Sequence, residues 1–371
     1  MQKSRQAVRE VRRSVRGAFT LLEFVVTIGI IAILMSLIMP AVMRARATAR
    51  RLTCQNHLRQ IGLAVTQFGD HQNRYPASGM FSATGPEGYF SWVLPLLPYL
   101  EQKSVSQKWD LNLTHDSPQN RPLAQTRFDF LECPEDITLM SGQGNLSYAV
   151  NGGFGWSVPI DCTVTLHVNE TPPLFNAPID LNGNGVTCVP PPGTDGAPDD
   201  RDVFWQSGVF FGENYPTGSG TIRHHRPATI TDGLSNTIFL AESIRAGWDP
   251  VFPEITGWAS PLTYRASFFL SGYVCKGLSC SAGNVDYANA NAQNVAPQRF
   301  EAINSSRTQA EGQAPWPTSY HDGGVFVLFG DGHVRFMSQN INGLTYACLV
   351  SPQGGRLPGP LMQPAAASLD D

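Results

Sequence analysis

The stretch from Arg16 to Pro40, RGAFTLLEFVVTIGIIAILMSLIMP, limits what this chain can become more than any other part of it. A basic leader ends at Gly17-Ala18, and the run from Phe19 to Met39 is apolar apart from a few hydroxyls and one acid, Glu23. At about 1.5 Å per helical residue that run is long enough to cross a hydrocarbon core of roughly 30 Å. A secretory signal has a shorter apolar core, about 7 to 15 residues, and its small-residue cleavage site follows that core. Here the small residues come first, so the segment is expected to stay in the mature protein. Arginines on both sides, such as Arg12, Arg13 and Arg16 before and Arg44, Arg46 and Arg50 after, nearly balance and give charge little power to set orientation.

Glu23 is the costly residue in this run. A carboxylate in lipid needs a partner or must reach the interface, and intramembrane ionisable groups are functional candidates. The segment resembles the N-termini of type IV prepilins and type II secretion pseudopilins. The resemblance implies processing by prepilin peptidase at Gly17, Ala18 and Phe19, with N-methylation of the new terminus. It gives Glu23 a role as partner of the freed amine of a neighbouring subunit, and it puts everything after Pro40 outside the bacterial inner membrane, in the periplasm or at the cell surface. Cutting after Ala18 makes Glu23 the fifth residue and Pro40 the twenty-second, which is the family's spacing. Cutting after Gly17 suits the family's usual glycine before the cut, so both registers stay open.

The rest of the chain reads as a loop-rich head. With 35 Gly, 28 Pro and only 15% charged residues, it suits short strands and turns better than helices. A net charge of -4, carried by a chain whose first sixty residues are basic, leaves no basic patch for nucleic acid. Seven cysteines with no CxxC pair give no support to a zinc ribbon or a thioredoxin-like site. In an oxidising compartment they suggest disulfides, with Cys275–Cys280, Cys162–Cys188 and Cys54–Cys133 as candidate pairs; spacing alone does not fix the connectivity, and one cysteine is left unpaired or pairs between chains.

The expected fold class is α+β. A long N-terminal helix, half transmembrane and half amphipathic stem, packs on an antiparallel β-sheet with β-rich loop insertions. The expected segments are a leader over 1–18, the helix over 19–69, a head over 70–350 and a flexible tail over 351–371. The stem stripe is Cys54, Leu58, Ile61, Val65 and Phe68, ending at Gly69-Asp70. A strand is expected from Arg127 to Cys133 and a buried strand within 226–245. Two strands buried on both faces, Val325–Phe329 and Val334–Met337, are joined by the Gly330-Asp331-Gly332 turn.

His321 and Asp331 form an H-x9-D-G pattern with Gly332. Together with CQNHLRQIGLAV, SWVLPLLPYLEQ, ECPED and TDGLSNTIFLAE it resembles the prepilin-like proteins with a DUF1559 domain, over Arg16 to Leu349. The chain departs from that family at His57, where an asparagine is usual. A His-Asp pair could orient an imidazole for catalysis, but no nucleophile elbow or H-E-x-x-H helix accompanies it. The reading adopted is that Asp331 fills the turn while His321 bonds locally. His224-His225 reads as a surface pair rather than a metal site. Asp180, Asn182 and Asn184 resemble the opening of a calcium loop, but the closing Glu is missing, so calcium is possible and no other cofactor is expected.

These readings favour a pseudopilin-like structural subunit, anchored by one helix in the inner membrane and assembling with itself or other pilin-like subunits in a type II secretion or pilus-like filament. No enzymatic step is expected. A membrane-anchored solute-binding module, with a pocket lined by aromatics such as Trp205, Trp248, Trp258 or Trp316, is the alternative, and a membrane-anchored hydrolase is a weaker one.

Overall fold

A computed structural model describes residues 20–82, 88–154, 163–167, 174–178, 200–213, 224–244, 246–247, 257–261, 267–270, 274–276, 279–281, 303–304, 317–357 and 362–363. The chain divides into two compact units, Met1–Ala49 and Arg50–Asp371. Helix α1, Leu21–Gln72, contributes to both.

In the first unit the large apolar side chains from Leu21 to Met43 are exposed, and this helix is the one described element long and apolar enough to cross a membrane. Thr20 and Glu23 start it. The Thr20 N–H and hydroxyl both donate to Glu23 Oε2 at 2.9 Å, and the Glu23 N–H donates to the Thr20 hydroxyl at 3.2 Å. This reciprocal capping box satisfies donors that have no partner within the helix.

In the second unit the expected stripe of Cys54, Leu58, Ile61, Val65 and Phe68 is buried. Gly62 lets this face approach the sheet closely, since a Cβ there would fall 2.6 Å from Leu328 Cδ1. The helix runs past Gly69-Asp70 to Gln72, because Gly69 faces the ring of Tyr75 and is buried rather than free to turn. Asn73, at φ 51°, takes the left-handed conformation that stops it.

The central sheet holds β3 (Tyr148–Phe154), β6 (Ile238–Glu242), β7 (Ser267–Leu270), β10 (Gly324–Phe329) and β11 (Val334–Ser338), in the order β11-β10-β6-β3-β7. The first four in that order pair antiparallel, and β7 joins β3 in parallel. Strands β6 and β10 are buried at every position, as continuous apolar runs require. Strand β11 lies at the edge, where Val334 and Met337 are buried, Phe336 is half-buried and Arg335 and Ser338 are exposed, so only its partner meets the expectation of burial on both faces. Three two-stranded sheets among the described residues are separate from it: β1 (Gly79–Phe81) with β2 (Gly88–Ser91), β4 (Thr163–His167) with β5 (Leu174–Pro178), and β8 (Val274–Lys276) with β9 (Ser279–Ser281).

Two other expectations need correction. Arg127 to Cys133 is not a strand; it contains a single turn of 3-10 helix at Asp129–Leu131, and the alternating aromatics that suggested pleating, Phe128 and Phe130, stack on each other at 5.3 Å instead. Residues 351–357 do not fray. Ser351, Gln353 and Leu357 are buried after helix Gly343–Val350, and the Asp232 carboxylate accepts from the Gly354 N–H at 2.6 Å.

Candidate functional site

Four of the sequence motifs deliver one side chain each to a single buried point. Cys54, from the CQNHLRQIGLAV helix, is disulfide-bonded to Cys133, from ECPED, across a sequence separation of 79. Glu242 ends TDGLSNTIFLAE on β6, and His321 opens the H-x9-D-G segment before β10. His321 Nε2 lies 3.1 Å from Glu242 Oε1 and 3.6 Å from Cys133 Sγ, and the other Glu242 oxygen accepts from the Phe326 N–H at 2.8 Å. All four residues are buried. Burial pushes the Glu242 carboxyl above its usual range, against the pull of His321 and the Phe326 amide. Above the cluster the fully buried Tyr148 hydroxyl donates to the Cys54 carbonyl at 3.4 Å. Its pKa is raised by burial and by the neighbouring Glu242 and Asp136.

The surrounding residues of each motif hold these four in place. In ECPED, Glu132 bonds Arg127 Nε at 2.9 Å and Asn145 at 2.8 Å, while its carbonyl faces His57 Nδ1 at 2.9 Å. The His57 that departs from the family pattern thus ties the helix to the Cys133 segment. Asp136 accepts from the Ser147 hydroxyl at 2.8 Å, next to β3. Asn151, fully buried on β3, donates to the carbonyls of Ile238 and Val350.

The nine-residue spacing has a geometrical explanation. His321 and Asp331 flank β10, which pairs antiparallel with β6, so they sit at opposite ends of a six-residue strand that spans roughly 20 Å. At one end His321 meets Glu242, and at the other the Gly330 N–H donates to the Thr237 carbonyl and the Asp331 N–H to that of Leu234. Asp331 fills the turn as expected, accepting from the His333 N–H at 3.1 Å, with Gly332 at φ 89°. His321 does bond locally, its N–H donating to the Ser319 hydroxyl at 3.1 Å, but its ring also meets a carboxylate 79 positions away in sequence.

His224-His225 is not a surface pair. His225 is buried, stacks on Trp205 at 4.2 Å, and lies 2.6 Å from the Trp205 carbonyl and 2.9 Å from the Thr229 hydroxyl. His224 is half-buried between Arg74 and Glu213. Burial lowers the His225 pKa from 6.5 to about 4. A depressed histidine stabilises the fold fully above its unfolded value and progressively less as pH falls from 6.5 through 4. The head should therefore lose roughly 3 kcal/mol over that window. His225→Gln should flatten the acid side of its melting temperature against pH. An unchanged slope in that variant would rule His225 out as the source.

Trp258, considered for an aromatic pocket, is instead fully buried, with its indole N–H donating to the Thr126 carbonyl at 2.8 Å. Among the described residues Cys348 is a buried free thiol, with its pKa pushed up to about 11 by burial. Cys275 and Cys280 are register partners on β8 and β9, but their side chains lie outside the described residues. Gly17, Ala18, Phe19, Cys162, Cys188, Asp180, Asn182, Asn184, Trp248 and Trp316 also lie outside them. Glu242, at the end of TDGLSNTIFLAE, is not among the site residues expected from the sequence. The available signal was an acid closing an otherwise apolar strand, which places a carboxylate at the end of a buried β run.

A family profile described as "Protein of unknown function (DUF1559)" matches residues 43–344. No curated protein and no solved structure matches the chain significantly.

Proposed function

This chain belongs to the DUF1559 family, and from that membership and its exposed apolar helix we propose that it is a pseudopilin-like structural subunit, anchored by one span in the bacterial inner membrane and processed by prepilin peptidase. The observation that carries this reading is the N-terminal half of α1. Its apolar side chains from Leu21 to Met43 are exposed, while the stem half of the same helix is built into the head's core. In a filament those apolar faces would pack against the same faces of other pilin-like subunits or of further copies. Glu23, whose described partners are the N–H and hydroxyl of Thr20, would then accept the freed amine of a neighbour. The proposal contains no chemical step: His321 and Asp331 stand at opposite ends of β10, and the buried cluster serves to hold the head on the stem.

The test combines N-terminal mass analysis with crosslinking in cells that contain an active prepilin peptidase. The expected terminus is an N-methylated Phe19, or Ala18 if the cut follows Gly17. Glu23→Ala should insert as well as the parent, because it removes a charge from the span, yet enter crosslinked multimers less. An intact Met1 terminus would overturn the reading, and equal multimer formation by variant and parent would remove Glu23 from it.

A further inference from the structure

We propose that the buried Cys54, Cys133, Glu242 and His321 cluster is a zinc site that opens when its disulfide is reduced, so that the same four residues hold either a disulfide or a metal ion. The ligand atoms of all four lie within 4.8 Å of one another. With zinc–sulfur distances near 2.3 Å and zinc–nitrogen or zinc–oxygen distances near 2.0–2.2 Å, neighbouring ligands of a tetrahedral site stand roughly 3.3–3.8 Å apart. The contacts of His321 Nε2, at 3.1 Å to Glu242 Oε1 and 3.6 Å to Cys133 Sγ, are already close to such edges. The two sulfurs must separate by less than about 2 Å once their bond is broken, and ligand atoms that now stand as far as 4.8 Å apart must close by roughly 1 Å.

A disulfide alone does not account for the other two residues. Beside an uncharged cystine the buried carboxylate has His321 and the Phe326 N–H to offset its desolvation, whereas beside a divalent cation it would be a ligand in its own right. Its far oxygen is fixed by the Phe326 N–H, the kind of outer hydrogen bond that orients a metal-binding carboxylate. The four residues also come from four separate parts of the chain: the stem helix, the segment after the 3-10 turn, the end of β6 and the approach to β10. Closed structural zinc sites join segments in the same manner.

The exchange balances with a phosphine as reductant. The phosphine takes an oxygen from water and becomes a phosphine oxide, the sulfur–sulfur bond breaks, and the electron pair and the two protons of that water leave Cys54 and Cys133 as thiols. Zinc binding then releases those two protons to solvent as the thiolates coordinate, and His321 binds through Nε2 with its ring proton on Nδ1.

The test uses the full chain in detergent, with and without phosphine, and zinc chloride as the probe. Reduced protein should retain one zinc per chain through gel filtration, and the untreated disulfide form none. Residue-by-residue alkylation of the reduced protein should slow at least tenfold at Cys54 and Cys133 when zinc is present, with the other five cysteines unchanged. Glu242→Gln and His321→Asn should each weaken retention by tenfold or more. Equal alkylation of Cys54 and Cys133 with and without zinc would overturn the proposal, as would protection of other cysteines instead or equal retention by the disulfide form. The alkylation comparison needs no variant, so a poorly folding substitution does not rescue the idea. A reduced chain that is unfolded by circular dichroism and does not refold with zinc would also overturn it.

Discussion

Cys54→Ala together with Cys133→Ala should destabilise the head by about 4 kcal/mol. The bond closes a loop across a sequence separation of 79. The chain-entropy relation for a loop of that length gives roughly 4.5 kcal/mol at 25 °C, before any strain or residual structure in the unfolded state reduces it. The cross-link also joins the stem helix to the segment that carries Glu132, Cys133 and Asp136. Its loss should therefore raise amide exchange first along Arg50–Gln72 and 128–136, ahead of the central strands. Denaturant titration of parent, double variant and phosphine-reduced parent measures the effect. A midpoint within error of the parent for both the variant and the reduced protein would show that packing of the Leu58, Ile61 and Val65 face suffices without the bond.

His321→Ala should cost about 3 to 5 kcal/mol, because it removes one partner of a buried pair and leaves the other uncompensated. Glu242→Gln should cost less, about 1 kcal/mol, since an amide still accepts from the Phe326 N–H and still reaches His321 Nε2. Replacing both residues by leucine should not restore the parent value, because the Phe326 amide would then be buried without its acceptor. The sign of the pH effect is fixed by the direction of the Glu242 shift. Its folded pKa is raised above the ordinary 4.5 by burial, so the folded state holds the proton where the unfolded state has lost it. That contribution is complete below about 4.5 and is lost as pH rises through the folded value. Glu242→Gln should remove this decline. The pH dependence of the difference between parent and variant isolates it from His225, whose contribution moves in the opposite direction. A difference constant across pH would mean that Glu242 titrates alike in folded and unfolded chains.

Local patterns in the chain were enough for the helix, the fold class and the hairpin. Periodicity at Cys54, Leu58, Ile61, Val65 and Phe68 marks the stem face, the two apolar runs around Gly330-Asp331-Gly332 mark β10 and β11, and the continuous run before Glu242 marks β6. Helical and pleated repeats are short-range properties, so they survive being read one segment at a time. The same locality explains the misreadings. Phe128-Asp129-Phe130 alternates like a strand, but its rings stack on each other rather than on a sheet, and the Pro/Gly-rich composition after Ser351 conceals a segment held by Asp232.

The sequence by itself determined that this chain has an N-terminal apolar helix, an amphipathic stem, a head of short strands, and a set of motifs spaced in a fixed order. It offered Cys54 with Cys133 as one candidate pair, and the tertiary structure shows that bond. Where those motifs meet was decided only by the tertiary structure. His321 and Asp331 are ten positions apart in sequence, yet an extended strand carries them to opposite ends, while antiparallel pairing of β10 with β6 carries Glu242, 79 positions distant, to within hydrogen-bonding distance of His321. Register and strand order are properties of the whole sheet, set by which apolar faces can be buried together. The convergence of the four motifs on one buried point therefore exists only once the stem, β6 and β10 have packed.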